Sequence, residues 1–215
     1  MRMWIIGLLA LALVVTIVRH VRGHRHEVTI VAILVALGFL GYKEQHQRAL
    51  VSTYEAIASD IAGRPVEVRC QGVAGALVDV QAELGFVPWT PEGPADYTLI
   101  KNGACRDLGS YVGGSKRRPS LDQVIAVHVL AHEAYHLAGI ENEARTECFS
   151  AQMNAHVAER LGASPGEAQA LSIAYWLRVY PDMPAEYTSA ECRDGGKLDL
   201  HPNQAGWPTV GARSV

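Results

Sequence analysis

The sequence predicts an α+β protein, mostly helical, in which two transmembrane helices precede an aqueous domain. Three observations lead there. Two uncharged apolar runs stand at the N-terminus, residues 3–18 (MWIIGLLALALVVTIV) and 28–42 (VTIVAILVALGFLGY). Short alternating segments within residues 66–112 read as a small β-element. From Ser120 onward, three stretches with helical apolar spacing each begin on a capping residue.

Each apolar run is shorter than the roughly 20 residues that span a bilayer. Local thinning of the bilayer and snorkelling by Arg2, Arg19 and Lys43 compensate for that. The link between the runs, RHVRGHRHE, holds three arginines and three histidines. By the positive-inside rule this link is cytoplasmic, so the runs form a hairpin with both chain ends outside. Arg2, Arg19, Arg22 and Arg25 against Glu27 give residues 1–42 a net +3, which leaves −6 for the rest of a chain whose total is −3. A basic segment among apolar runs and an acidic body argue for membrane topology and against nucleic acid. A signal peptide fits less well, with only Arg2 as a basic n-region and no A-x-A site before the link.

Residues 43–62 carry Leu50, Val51, Tyr54, Ile57, Ala58 and Ile61 at helical spacing, an amphipathic helix stopped by Gly63 and Pro65. VEVRC (residues 66–70) alternates as a strand, and residues 76–84 suit a helix. Residues 85–94, with three prolines and two glycines, read as a loop with Trp89 as a packing anchor. Residues 97–101 and 106–112 flank Asn102-Gly103 and read as a β-hairpin. A basic loop, residues 113–119, follows.

Ser120 with Gln123 matches a capping box, and Gly139 is placed to end that helix. Asn142 caps a second helix over residues 143–161, ended by Gly162. Ser164-Pro165-Gly166-Glu167 is a further capping box, with proline at the first helical position. Beyond Pro181 the tail is irregular.

Cys70, Cys105, Cys148 and Cys192 form no C-x-x-C and all follow the apolar runs. In an extracytoplasmic domain such cysteines persist as disulfides. The favoured pairing is Cys70–Cys105 and Cys148–Cys192, which ties the early β-region and the tail separately.

The chemistry is concentrated in residues 124–152, VIAVHVLAHEAYHLAGIENEARTECFSAQ. His132, Glu133 and His136 read H-E-x-x-H, and two imidazoles four residues apart lie on one helix face and reach one metal. Zinc needs a third protein ligand and an open position for water. With a tight helical hairpin about Ile140, Glu147 matches the level of the two histidines better than Glu143 does. Glu147 is therefore the favoured ligand, with Glu143 as ligand or as its supporting partner. His128 extends the histidine stripe by one turn and suits a helix-face or supporting role. Tyr135, Tyr175, Tyr187 and His156 are candidates for stabilising an oxyanion.

Over about 25 residues the chain resembles the zincin metallopeptidases. Gly139 matches the glycine of the extended metzincin pattern, but Asn142 stands where that pattern has its last ligand. The tract from Asn142 to Glu147, NEARTE, is instead similar to the N-E-x-x-S-D tract of gluzincins, which place far more chain between the two motifs. That resemblance implies Glu143 as the ligand and Glu147 as the partner of a histidine.

The expected organisation is a transmembrane hairpin over residues 1–42 and a connecting helix over 43–65. A zincin-like domain follows over 66–215, in which the H-E-x-x-H helix packs on a return helix. The expected function is that of a membrane-anchored zinc metallopeptidase with Glu133 as general base to a zinc-activated water, acting on peptides or proteins outside the cytoplasm. A zinc-stabilised extracytoplasmic binding or sensor protein without turnover is the alternative. The histidines, glutamates and arginine around the motif suit an aqueous groove rather than lipid.

Overall fold

The computed structural model describes residues 2–21, 27–72, 83–204 and 206–208. It divides into two compact units, Met1–Leu50 and Val51–Val215. Among the described residues the molecule is predominantly helical, with two small sheets.

Helix α1 spans Arg2–Val21 and α2 spans Glu27–Ala62. The second apolar run and the amphipathic stretch are thus one helix of 36 residues, not two. Nothing between Glu27 and Gly63 breaks it: there is no proline, and Gly38 and Gly41 are tolerated at some propensity cost. Gly63, at φ 68°, then ends it. Among the described residues, α2 is the one helix long and apolar enough to cross a membrane, and α1 holds a shorter apolar stretch, Gly7–Val21. Both leave large apolar side chains uncovered, including Leu8, Leu11 and Val14 on α1 and Val28, Val31 and Phe39 on α2. Further along, α2 buries Tyr54, Ile57 and Ala58 at helical spacing.

Strand β1 is Glu67–Cys70, β2 Gly85–Phe86, β3 Trp89–Thr90, β4 Gly93–Pro94 and β5 Tyr97–Ile100. β5 is the centre of a three-stranded sheet, parallel to β1 (Val68 opposite Thr98) and antiparallel to β2 (Gly85 opposite Ile100). β3 and β4 form a separate antiparallel pair. The stretch expected as a loop over residues 85–94 therefore holds three short strands, and Trp89 is exposed rather than an anchor. All but the last two residues of the helix expected over 76–84 lie outside the described residues, and those two are not helical.

The hairpin expected around Asn102-Gly103 is absent. β5 leads instead into helix α3, Asn102–Gly113, which buries Ala104, Leu108 and Tyr111 on one face. Burial at helical spacing outweighs the turn preference of the Asn-Gly pair. Helix α4 (Leu121–Leu137), α5 (Glu143–Arg160) and α6 (Pro165–Arg178) follow, then short 3₁₀ turns at Tyr180–Asp182 and Ala185–Tyr187. α4 lies between α3, α5 and β5, so the H-E-x-x-H helix is the buried centre of its unit. Disulfides join Cys70 to Cys105 and Cys148 to Cys192, the pairing the sequence favours. The first ties β1 to α3, and the second ties α5 to the tail.

Candidate metal centre

The start of α4 is set by Ser120 and Gln123. The Ser120 hydroxyl accepts from Gln123 N (3.2 Å), and the Gln123 carbonyl oxygen accepts from Ser120 N (2.9 Å). The helix ends in a Schellman motif, in which Gly139 N donates to His136 O and Ile140 N donates to Tyr135 O. Gly139 makes this possible, since its φ of 92° is the left-handed conformation that side chains resist. The chain restarts at once. Asn142 Oδ1 accepts from Arg145 N at 2.9 Å, and α5 runs back along α4.

This short connection also aims a ring. Ile140 O accepts from His136 Nδ1 (2.7 Å) and from Thr146 Oγ1 (3.1 Å). A carbonyl oxygen only accepts, so His136 carries its proton on Nδ1 and its Nε2 presents a lone pair. That Nε2 lies 3.0 Å from His132 Nε2 and 3.3 Å from Glu143 Oε2. His132 Nε2 is itself 3.0 Å from Glu143 Oε2. On its other side, His132 Nδ1 lies 3.1 Å from Glu147 Oε2.

Glu147 accepts from every side. Oε2 faces His128 Nε2 at 2.9 Å as well as His132, and Oε1 accepts from Tyr175 Oη. The Tyr175 ring stacks on His128 at 3.7 Å between centroids. Burial raises the Glu147 carboxyl, but the charge and hydrogen bonds of His128 and His132 outweigh it and hold the group ionised, well below the usual carboxylate range. Burial and the Glu147 charge push the Tyr175 phenol well above its ordinary value, so it stays a donor. Asn154 lies 3.2 Å from His128 Nδ1 through Oδ1, while its buried Nδ2 has no partner. Turning the amide over puts an N–H on Nδ1 and frees His128 Nε2–H for Glu147.

Two sets of side chains bring potential ligand atoms within 4.8 Å of one another: His132, His136 and Glu143, and His128, His132 and Glu147. The second is shut in by Tyr175 and Asn154. The first has a Glu143 side chain 37% exposed, against 1% for Glu147, so it alone opens to solvent. The structure does not bring Glu147 together with His136, as the favoured sequence reading required. His132 turns its two nitrogens to different carboxylates, Nε2 toward Glu143 near the bend and Nδ1 toward Glu147 away from it. The average level of the two histidines along α4 conceals this division.

The first set passes a chemical test for a cation. With Nδ1–H committed on both rings, two imidazole lone pairs and a carboxylate oxygen point at one another, which is repulsive unless positive charge sits between them. In the metal-free chain a proton plays that part. Burial lowers the His132 imidazole, yet its hydrogen bonds to Glu143 and Glu147 leave it raised to about 9. Burial raises Glu143, and bonds from His132 and His136 pull it down to about 2.

Glu133, one residue after His132 on α4, is buried, 4% exposed. Its Oε2 is 3.2 Å from Thr98 Oγ1 on β5. Burial raises its carboxyl above the ordinary value, against the nearby His132 and His136. Gly85 on β2 sits so close that a Cβ there would stand 2.7 Å from Glu133 Oε1. Sequence reasoning missed Gly85, Thr98 and Asn154. Only Asn154 had a local signal, being seven residues after Glu147 and so on the same helix face.

Of the oxyanion candidates, Tyr175 is buried in the Glu147 network and Tyr135 packs on Phe149. The Tyr187 ring lies 6.0 Å from His132 and is half-buried. Its segment is pinned to α5 by Cys148–Cys192 and by Gln152, which donates to Leu198 O and accepts from Leu200 N, both at 2.8 Å. Compared with known proteins, the chain matches no family model, no curated sequence and no solved structure.

Proposed function

We propose that this chain is a membrane-anchored zinc metallopeptidase of the zincin type, in which His132 Nε2, His136 Nε2 and Glu143 Oε2 hold the metal. The observation that carries this is the convergence of those three lone pairs beside a buried glutamate that directly follows His132. Two imidazoles and a carboxylate are a donor set suited to zinc. Glu147 is the carboxylate that fixes the His132 ring through Nδ1. Zinc bound there supplies a Lewis acid that polarises a water molecule and a peptide carbonyl. Glu133 takes a proton from the attacking water and passes it to the leaving amine. Its Oε2 lies 3.2 Å from Thr98 Oγ1. Tyr187, whose ring lies 6.0 Å from that of His132, is the oxyanion candidate in this reading.

Both apolar runs cross the bilayer in this reading, with the basic link inside and the catalytic unit outside. The length and exposed apolar surface of α2 support the anchor, and two disulfides suit an oxidising compartment. Substrates are peptides or proteins.

The test uses the full chain in detergent or nanodiscs. One zinc per chain and hydrolysis of a quenched-fluorescent peptide pool are expected, with hydrolysis abolished and zinc retained in Glu133→Gln. Zinc without hydrolysis leaves the binding or sensor alternative. A chain without zinc, equally stable as His132→Ala, overturns both.

A further inference from the structure

We infer that Gly85 and Thr98 form a cradle across strands β2 and β5 that positions the Glu133 carboxylate for proton transfer, an inference that rests on Glu133 being the base. Two independent contacts define it. The first is steric: a Cβ at Gly85 would stand 2.7 Å from Glu133 Oε1, 2.9 Å from Cδ and 3.0 Å from Cγ, whereas ordinary contact begins at 3.4 Å. No left-handed φ explains the glycine, since Gly85 is not among the positive-φ glycines. Space for the carboxylate explains it. The second is polar. Thr98 is fully buried, and its Oγ1 lies 3.0 Å from Phe86 O and 3.2 Å from Glu133 Oε2.

The hydroxyl stands between the β2 backbone and the carboxylate, with one proton to donate to either acceptor. Gly85 and Thr98 sit on neighbouring strands of one sheet, β2 and β5, so strand pairing sets the spacing between the two contacts. A glutamate side chain has three rotatable bonds and loses considerable freedom when held. Its position along the helix does not supply that restraint; a wall against one oxygen and the Thr98 hydroxyl against the other do. Neither residue belongs to the His132, His136 and Glu143 set. They are positioning residues, and their effect is on the rate of proton transfer rather than on metal loading.

The test compares the full zinc-loaded chain in nanodiscs with Gly85→Ala, Thr98→Val and Thr98→Ser. Structures of the loaded variants read the carboxylate position, and kcat and KM are taken on the best-cleaved peptide of the pool. Gly85→Ala and Thr98→Val are expected to keep one zinc per chain, to displace the carboxylate, and to lower kcat about tenfold or more with KM within about twofold. Thr98→Ser restores both position and rate. An undisplaced carboxylate in Gly85→Ala and Thr98→Val overturns the inference, as does zinc loss in either. So does a Thr98→Ser as slow as Thr98→Val, because packing alone then accounts for the effect. If wild type holds zinc but cleaves nothing, the peptidase reading fails, and the carboxylate positions still decide the cradle.

Discussion

His132 is the residue on which the centre turns, because its two nitrogens serve two different glutamates. That division separates the roles of Glu143 and Glu147 experimentally. Glu143→Gln is expected to release zinc to a mild chelator, while Glu147→Gln retains it with affinity reduced by about 10- to 100-fold. Tyr175→Phe keeps the stack on His128 and removes only the donor to Glu147. Zinc affinity should fall about tenfold, measured by competition with a chromophoric chelator, with the melting temperature of the metal-free chain changed little. The pH dependence has a definite sign. With His132 raised to about 9, its contribution to metal-free stability is complete below the unfolded value near 6.5 and is lost as pH rises through 9. Glu143, lowered to about 2, contributes above its unfolded value near 4.5 and is lost as pH falls through 2. Zinc competes with the His132 proton, so its affinity should climb with pH toward about 9 and level off beyond it.

At the scale of elements, what could be read from the sequence is what is locally encoded. Ser120–Gln123, Asn142 and Ser164–Glu167 act within three residues of themselves, and each helix starts where its capping residue stands. The two histidines of H-E-x-x-H share a face because helix geometry alone demands it. The Asn102-Gly103 hairpin failed because its turn preference competes with burial of Leu108 and Tyr111, which depends on the rest of the fold. Thr98 and Gly85 stayed hidden for a similar reason, since Thr98 meets Glu133 across 35 residues of chain. No spacing rule links a strand position to a helix position at that range. The capping box is testable on its own. Ser120→Ala should cost about 1 kcal/mol, read by denaturant unfolding, with zinc content unchanged because the ligands lie beyond the first helical turn.

For the whole molecule, covalent links carry much of the stability of the unit that holds the centre. The bridges join residues 35 and 44 apart, and each contributes about 4 kcal/mol if its effect is to restrict the unfolded chain. Replacing Cys148 and Cys192 together by serine is expected to lower unfolding stability by up to about that amount. It also frees the tail that carries Tyr187, so hydrolysis should weaken more than zinc affinity does. Equal losses of the two would show that the bridge supports the ligands instead.

The Ile140 carbonyl, shared between His136 and Thr146, has a consequence for how the protein is assembled. The proposed ligands and the glutamate that supports them are at most 15 residues apart, and the chain between them makes a single reversal. Closing so short a loop costs little entropy. The proposed metal ligands can therefore be brought together by the α4–α5 hairpin alone, whereas Glu133 meets its partners only once β2 and β5 are paired. Metal capture would come early in the life of the chain, and competence to react only when the sheet arrives.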